Sequence, residues 1–186
     1  VRILGIDPGS RITGWGVIEA SGWDVGCVAH GALRLDATAS LPARLLQLAE
    51  GLAEVVARQR PEVAAVEDVF HARNARAALV LGQARGVVLL ILTQAGLPLF
   101  EYAPALVKSS VTGSGRAEKP QVQQALAVQL GMRELPMPLD ASDALAIALC
   151  HAAESRMKRH LAAMPEDVAL ALSVRRRRRH ARTLRA

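Results

Sequence analysis

Four acids stand where their side chains could act together: Asp7, Glu67, Asp140 and Asp143. Asp7 closes an apolar run from Ile3 to Ile6 and precedes Pro8-Gly9-Ser10. Glu67 lies near the end of a second apolar run, V-A-A-V-E-D-V (63–69). Asp140 and Asp143 are three residues apart, so on a helix they share a side. Four carboxylates gathered at one rim repel each other, and each pKa rises. Divalent cations remove that penalty. An oxygen-only donor set, with no His or Cys beside it, suits Mg²⁺ or Mn²⁺. Two such ions about 4 Å apart can activate a water and stabilise a leaving oxygen, the chemistry of phosphodiester hydrolysis. Each acid also has an ordinary use. Asp before Pro is common turn chemistry, Asp140 is a good N-cap, and Asp143 complements a helix dipole. Glu67 is harder to place, because a charge in an apolar strand needs solvent or a partner. Asp68 must face the other side of the sheet and is not counted as a ligand.

These acids can meet only if their elements bring them together. Pro8 and Gly9 make a turn, with Gly9 supplying an open conformation. Thr13 to Ile18 returns as a strand, where Gly14 and Gly16 leave room for another backbone or a ligand. Trp23 to Leu35 reads as a third strand, with Gly26 and Gly31 as candidate bulges. Residues 41–59 form an amphipathic helix whose stripe is Leu41, Leu45, Leu48, Leu52 and Val55. Residues 63–69 are a buried-type strand. Asn74 is a candidate N-cap for a helix over 75–95 that ends at Gly96. This helix is apolar on more than one face, so it is either a core helix or one shared with a partner subunit. Leu97 to Tyr102 is a fifth strand. A short helix follows over 104–111, then a glycine loop over 112–115, a helix from Pro120 to Leu130, and a last helix from Asp140 to about Lys158. The expected fold class is α/β with a five-stranded mixed sheet, three antiparallel strands followed by two parallel ones, flanked by helices. Strands one and four are then parallel neighbours, with Asp7 and Glu67 at the same edge.

The chain has 186 residues, 51% of them hydrophobic and only 3% aromatic, so aliphatic side chains build its core. Uninterrupted apolar runs such as Val87 to Leu92 are far short of the roughly 20 residues of a membrane span, and no membrane role is expected. The apolar start runs straight into the Asp7 turn, unlike a signal peptide. Cys27 and Cys150 match no zinc spacing, which fits a reducing cytoplasm. Net charge is +6, but residues 165–186 hold seven Arg against Glu166 and Asp167. The expected organisation is a nuclease-type domain over 1–158 and a basic, flexible tail over 159–186.

Several stretches together resemble the bacterial Holliday junction resolvases, the RuvC family. They are L-G-I-D-P-G-S-R-I-T-G-W-G (4–16), V-E-D-V-F-H-A-R-N-A-R-A-A-L-V-L-G-Q-A-R-G (66–86), F-E-Y-A-P-A-L-V-K (100–108), A-E-K (117–119) and D-A-S-D-A-L-A-I-A (140–148). The resemblance runs from residue 1 to about 158 and departs from the usual pattern at Trp15, Asp68 and Pro120. It implies an RNase H-like fold and a homodimer that binds four-way DNA junctions. It also implies paired symmetric nicks, in homologous recombination and DNA repair. Asp7, Glu67, Asp140 and Asp143 would be both the catalytic residues and the ligands of two Mg²⁺ or Mn²⁺ ions. Lys108 and Lys119 match the family's DNA-contacting lysines, and Phe70 its ring that stacks on junction bases. Arg76 and Arg73, flanking the proposed helix start, are further candidates for phosphate, with Arg76 preferred. Arg116 lies between the two lysines and could join them along a phosphate backbone. The basic tail is outside the resemblance; binding DNA nonspecifically, recruiting a branch-migration helicase complex and doing neither all stay open. Two rivals remain. One is a nucleotide-binding fragment of the actin, Hsp70 and sugar-kinase superfamily, whose phosphate loop also resembles G-I-D-x-G. The other is a catalytically idle junction-binding module.

Overall fold

Side chains alternate sides along a strand, and in the first strand this sorts the molecule into two layers. The computed structural model describes residues 1–68 and 74–164. Strand β1 (Arg2–Asp7) turns Leu4 and Ile6 to one face and Ile3, Gly5 and Asp7 to the other. Strands β2 (Ile12–Ser21) and β3 (Asp24–Arg34) follow as an antiparallel meander. Strands β4 (Val63–Glu67) and β5 (Leu99–Tyr102) are parallel to β1. The order is β3-β2-β1-β4-β5, the mixed five-stranded sheet expected.

The two parallel crossovers place α1 (Leu41–Gln59) and α2 (Ala75–Gln94) over the Leu4 and Ile6 face. The core there joins Leu4, Ile6, Val17 and Val66 of the sheet to Leu48 and Leu52 of α1 and to Ala84, Val88 and Leu92 of α2. Both helices begin on capped residues: Ser40 accepts from the Ala43 N–H and Asn74 from the Ala77 N–H. The chain continues through α3 (Pro104–Thr112), α4 (Lys119–Gln129) and α5 (Leu139–Ala162). By internal contacts it divides into Val1–His151 and Ala152–Ala186.

Three expectations need correction. The β2–β3 register shifts between Val17 and Ile18, which pair with Ala29 and Cys27, so the bulged residue is Val28 rather than Gly26 or Gly31. Gly31 is instead required by the indole beside it: a Cβ there would stand 2.8 Å from the Trp15 ring. Gly9 is not among the positive-φ glycines. Its need is steric, since a Cβ would fall 1.9 Å from the Ile12 carbonyl oxygen. Finally, α2 is one helix long and apolar enough to cross a membrane by length and composition. Gly, Gln and Arg interrupt its apolar residues in sequence but not their sum. In the fold it lies against the sheet through Ala84, Val88 and Leu92.

Candidate active site

Register places the first two acids. β1 and β4 pair in parallel from Ile3 with Val63 to Ile6 with Val66, so Asp7 and Glu67 end adjacent strands, which lie about 5 Å apart. Both side chains belong to the face opposite α1 and α2. Asp68 alternates away, and Arg85 of α2 lies 3.9 Å from its carboxylate while also pairing with Glu101. That accounts for Asp68 as structural, as expected.

The second pair arrives with α5, and glycines decide where it docks. A Cβ on Gly5 would stand 2.0 Å from the Ala144 carbonyl oxygen, and one on Gly14 would stand 1.9 Å from that of Asp140. On Gly16 it would meet the Leu145 side chain at 2.7 Å. The room left by Gly14 is thus filled by another backbone, and that left by Gly16 by the Leu145 side chain. Gly14 is the register partner of Asp7, so the start of α5 lies directly over the end of β1. Asp140 is the second residue of α5 and Asp143 the fifth; neither is the cap. This loosens the capping account of Asp140.

The electrostatics show how closely the four acids converge. Burial, then the charges of Glu67, Asp143 and Asp140, push the Asp7 carboxyl up to about 8. Burial and the Asp143 charge also raise Glu67. Lys119 opposes both shifts, and Lys108 opposes that of Glu67. Two of the predicted cations therefore face the acids. Lys119 donates to Asp143 Oδ2 at 3.0 Å. Among the described residues, no three acidic, His or Cys side chains already stand close enough together to hold a metal ion. The acids share one field without yet sharing a ligand position, and the cation on Asp143 is an ammonium.

The other candidates fare differently. Arg116 is exposed and lines an open groove between α3 and α4, with Thr112, Ser114 and Gln121. Arg76 is exposed in the first turn of α2. Phe70 and Arg73 lie outside the described residues. Sequence reasoning missed Gly5 and Thr13. The buried Thr13 hydroxyl donates to the Gly9 carbonyl at 3.0 Å and accepts from the Gly9 N–H at 3.2 Å. It thereby closes the turn that follows Asp7. A polar residue opening an apolar strand was the available signal. Also missed was the buried hydrogen bond between the Tyr102 hydroxyl and His151 Nδ1, 2.7 Å, which ties β5 to α5.

Comparison with known proteins points to one family. A family model described as crossover junction endodeoxyribonuclease RuvC matches residues 3–151. A protein of that name from Chloroflexus aggregans is 50% identical over 152 residues, 82% of this chain and 93% of the relative. One from Agrobacterium fabrum is 49% identical over 166 residues, covering 88% and 97%. Among solved structures, Thermus thermophilus RuvC in complex with a Holliday junction substrate superposes with a TM-score of 0.80 at 34% identity, over 84% of this chain and 96% of that one. The yeast mitochondrial Holliday junction resolvase Ydc2 shares the fold, with a TM-score of 0.63 at 14% identity.

Proposed function

The chain belongs to the RuvC family of crossover junction endodeoxyribonucleases, and we propose that Asp7, Glu67, Asp140 and Asp143 are its catalytic centre. The fold is RNase H-like, and the activity is endonucleolytic hydrolysis of four-way DNA junctions. The observation that carries the site assignment is the meeting of three elements: Asp7 and Glu67 end adjacent parallel strands, and the start of α5, with Asp140 and Asp143, docks over Gly14 beside Asp7. Burial and the other three acids push the Asp7 carboxyl up to about 8. A protein gains nothing in stability from such a cluster; a ligand of opposite charge makes sense of it.

The all-carboxylate donor set fits hard divalent cations, Mg²⁺ or Mn²⁺, two per site. When bound, such ions activate water and stabilise the leaving oxygen. The chain's own residues do the rest. Asp7, beside Glu67 across the β1–β4 pairing and next to the start of α5, would hold the ions together with Glu67, Asp140 and Asp143. Glu67 is held by the β1–β4 register, and Asp140 and Asp143 by the docking of α5 on Gly5 and Gly14. Lys108 and Lys119, on separate helices at the acid rim, are placed to hold the phosphates of the cleaved strand. Phe70, from the stretch between β4 and α2, and Arg76, in the first turn of α2, are proposed DNA contacts.

The proposed assembly is a homodimer. Leu79 and Leu90 on α2 are exposed. With Gln83 and Gly86 they form a stripe opposite the buried Ala84, Val88 and Leu92. An apolar stripe of this kind suits a partner helix. An isologous pair would set two sites about a two-fold axis, matching the approximate symmetry of a four-way junction and giving paired nicks. The proposed organisation keeps a basic tail after the nuclease domain, open to DNA or to a branch-migration helicase complex; α5 runs on to Ala162, so residues 159–162 belong to that helix and the tail follows it. The proposed compartment is the cytoplasm, where the DNA substrate is.

The test is cleavage of synthetic four-way junctions with Mg²⁺ or Mn²⁺ and with chelator. Asp7→Asn and Glu67→Gln should each lose about 100-fold or more in cleavage while keeping junction binding; even outer partners of a metal site are worth about 10–100-fold. Wild-type cleavage by either variant removes that residue from the mechanism.

A further inference from the structure

Lys119 and Asp143 are a pair whose two members are held very differently. Asp143 is on α5, whose start is locked against β1 and β2 by the close approaches at Gly5 and Gly14. Lys119 is the first residue of α4. Its backbone is pinned by a reciprocal capping box, in which Glu118 and Gln121 satisfy each other's N–H groups. Its side chain is 64% exposed, against 36% for Asp143. A fixed root and a flexible four-carbon stem make the lysine the member that can leave. Lys108 acts on Glu67 but forms no ion pair among the described residues.

From this geometry, and resting on the reading of the four acids as a cation site, we propose that Lys119 is a place-holding counterion that occupies Asp143 until a divalent cation and DNA exchange it away. A cation arriving at Asp143 meets a positive charge already there and must displace it. The released ammonium stays tethered at the rim and is free to take a DNA phosphate. A DNA phosphate that draws Lys119 off, conversely, uncovers Asp143 for the cation. Each ligand then strengthens the other by the same factor, as linkage requires. The consequence is an enzyme that loads its cation poorly away from DNA. Because the pair is exposed, the effect is small, about three- to fivefold in cation affinity.

The experiment is calorimetric titration of Mn²⁺ into the full chain, alone and bound to a four-way junction with non-hydrolysable central linkages. Wild type should bind Mn²⁺ more tightly with the junction than without it. Lys119→Gln should bind Mn²⁺ about three- to fivefold more tightly than wild type without DNA, and should lose most of the gain that DNA confers. Lys119→Arg, which keeps a charged partner for Asp143, should restore both properties. Lys108→Gln removes a charge without breaking an ion pair; it should bind the junction more weakly, but titrated at saturating junction it should keep the DNA-dependent gain in Mn²⁺ affinity. Equal or weaker Mn²⁺ binding by Lys119→Gln, with wild-type binding intact, overturns the proposal and leaves the cation site standing. Equal loss of the gain in Lys108→Gln also overturns it, because the general field then carries the coupling. Absence of Mn²⁺ binding by wild type, or binding unaffected by Asp7→Asn, overturns both readings.

Discussion

Asp7 is the residue on which most of the site's energetics converge. Its carboxyl is raised from 3.8 to about 8 in the ion-free fold, by burial first and by Glu67, Asp143 and Asp140 after it. Below pH 3.8 the folded and unfolded chains both carry the proton, and Asp7 is neutral to stability. Between about 4 and 8 the folded chain keeps a proton that the unfolded chain has lost, so stability falls as pH rises. Above 8 the full penalty is present. Removing the charge should therefore stabilise the ion-free protein. In chelator at pH 8.5, Asp7→Asn is expected to melt about 3 °C or more above wild type. The gap should close towards pH 4 and reverse when Mn²⁺ is added. Thermal melts at the two pH values, with and without Mn²⁺, measure this; equal melting in chelator at pH 8.5 would show that the acids do not strain the fold.

At the scale of elements, the site depends on how closely one helix approaches two strands. β2 yields to α5 at Gly14, opposite Asp7 in the register and in contact with the Asp140 backbone. Gly14→Ala places a methyl group where the Asp140 carbonyl oxygen already sits, so strand or helix must shift. Overpacking of this kind costs about 1–3 kcal/mol, and cleavage should fall about tenfold or more, since the shift moves Asp140 relative to Asp7. Gly26→Ala faces open space on β3 and should change stability by under about 1 kcal/mol, in the favourable direction. Urea unfolding and junction cleavage on both variants separate the two glycines. Similar losses in both would mean that glycine in these strands matters for the chain's flexibility and not for the approach of α5.

For the whole molecule, the surface that tests the proposed dimer is the outer stripe of α2. Its inner stripe packs on the sheet while Leu79 and Leu90 remain exposed. A double change of Leu79→Glu and Leu90→Glu is expected to leave circular dichroism unchanged and to shift sedimentation from dimer to monomer. Paired nicks should then give way to single ones. An unaltered sedimentation coefficient would place the contact elsewhere or remove it.

The sheet was legible in the residue order because strand alternation, the crossover rule and short turns leave few ways to join these five strands. Asp7 and Glu67 came with it: two acids at the ends of parallel neighbouring strands must lie together. The 41–59 helix was legible for the same local reason, an apolar stripe with a clear start and stop. What lies between elements was not. Periodicity does not say where α5 docks, and that depends on three glycines, on two strands far in sequence from the helix they admit. Nor does it say which cation reaches which acid: Lys119 meets Asp143 while Arg116, three residues earlier, lines a different groove. Patterns along the chain report which face a residue takes on its own element. Distances between elements are set by side-chain volume summed over a packed interface, and only the folded molecule evaluates that sum.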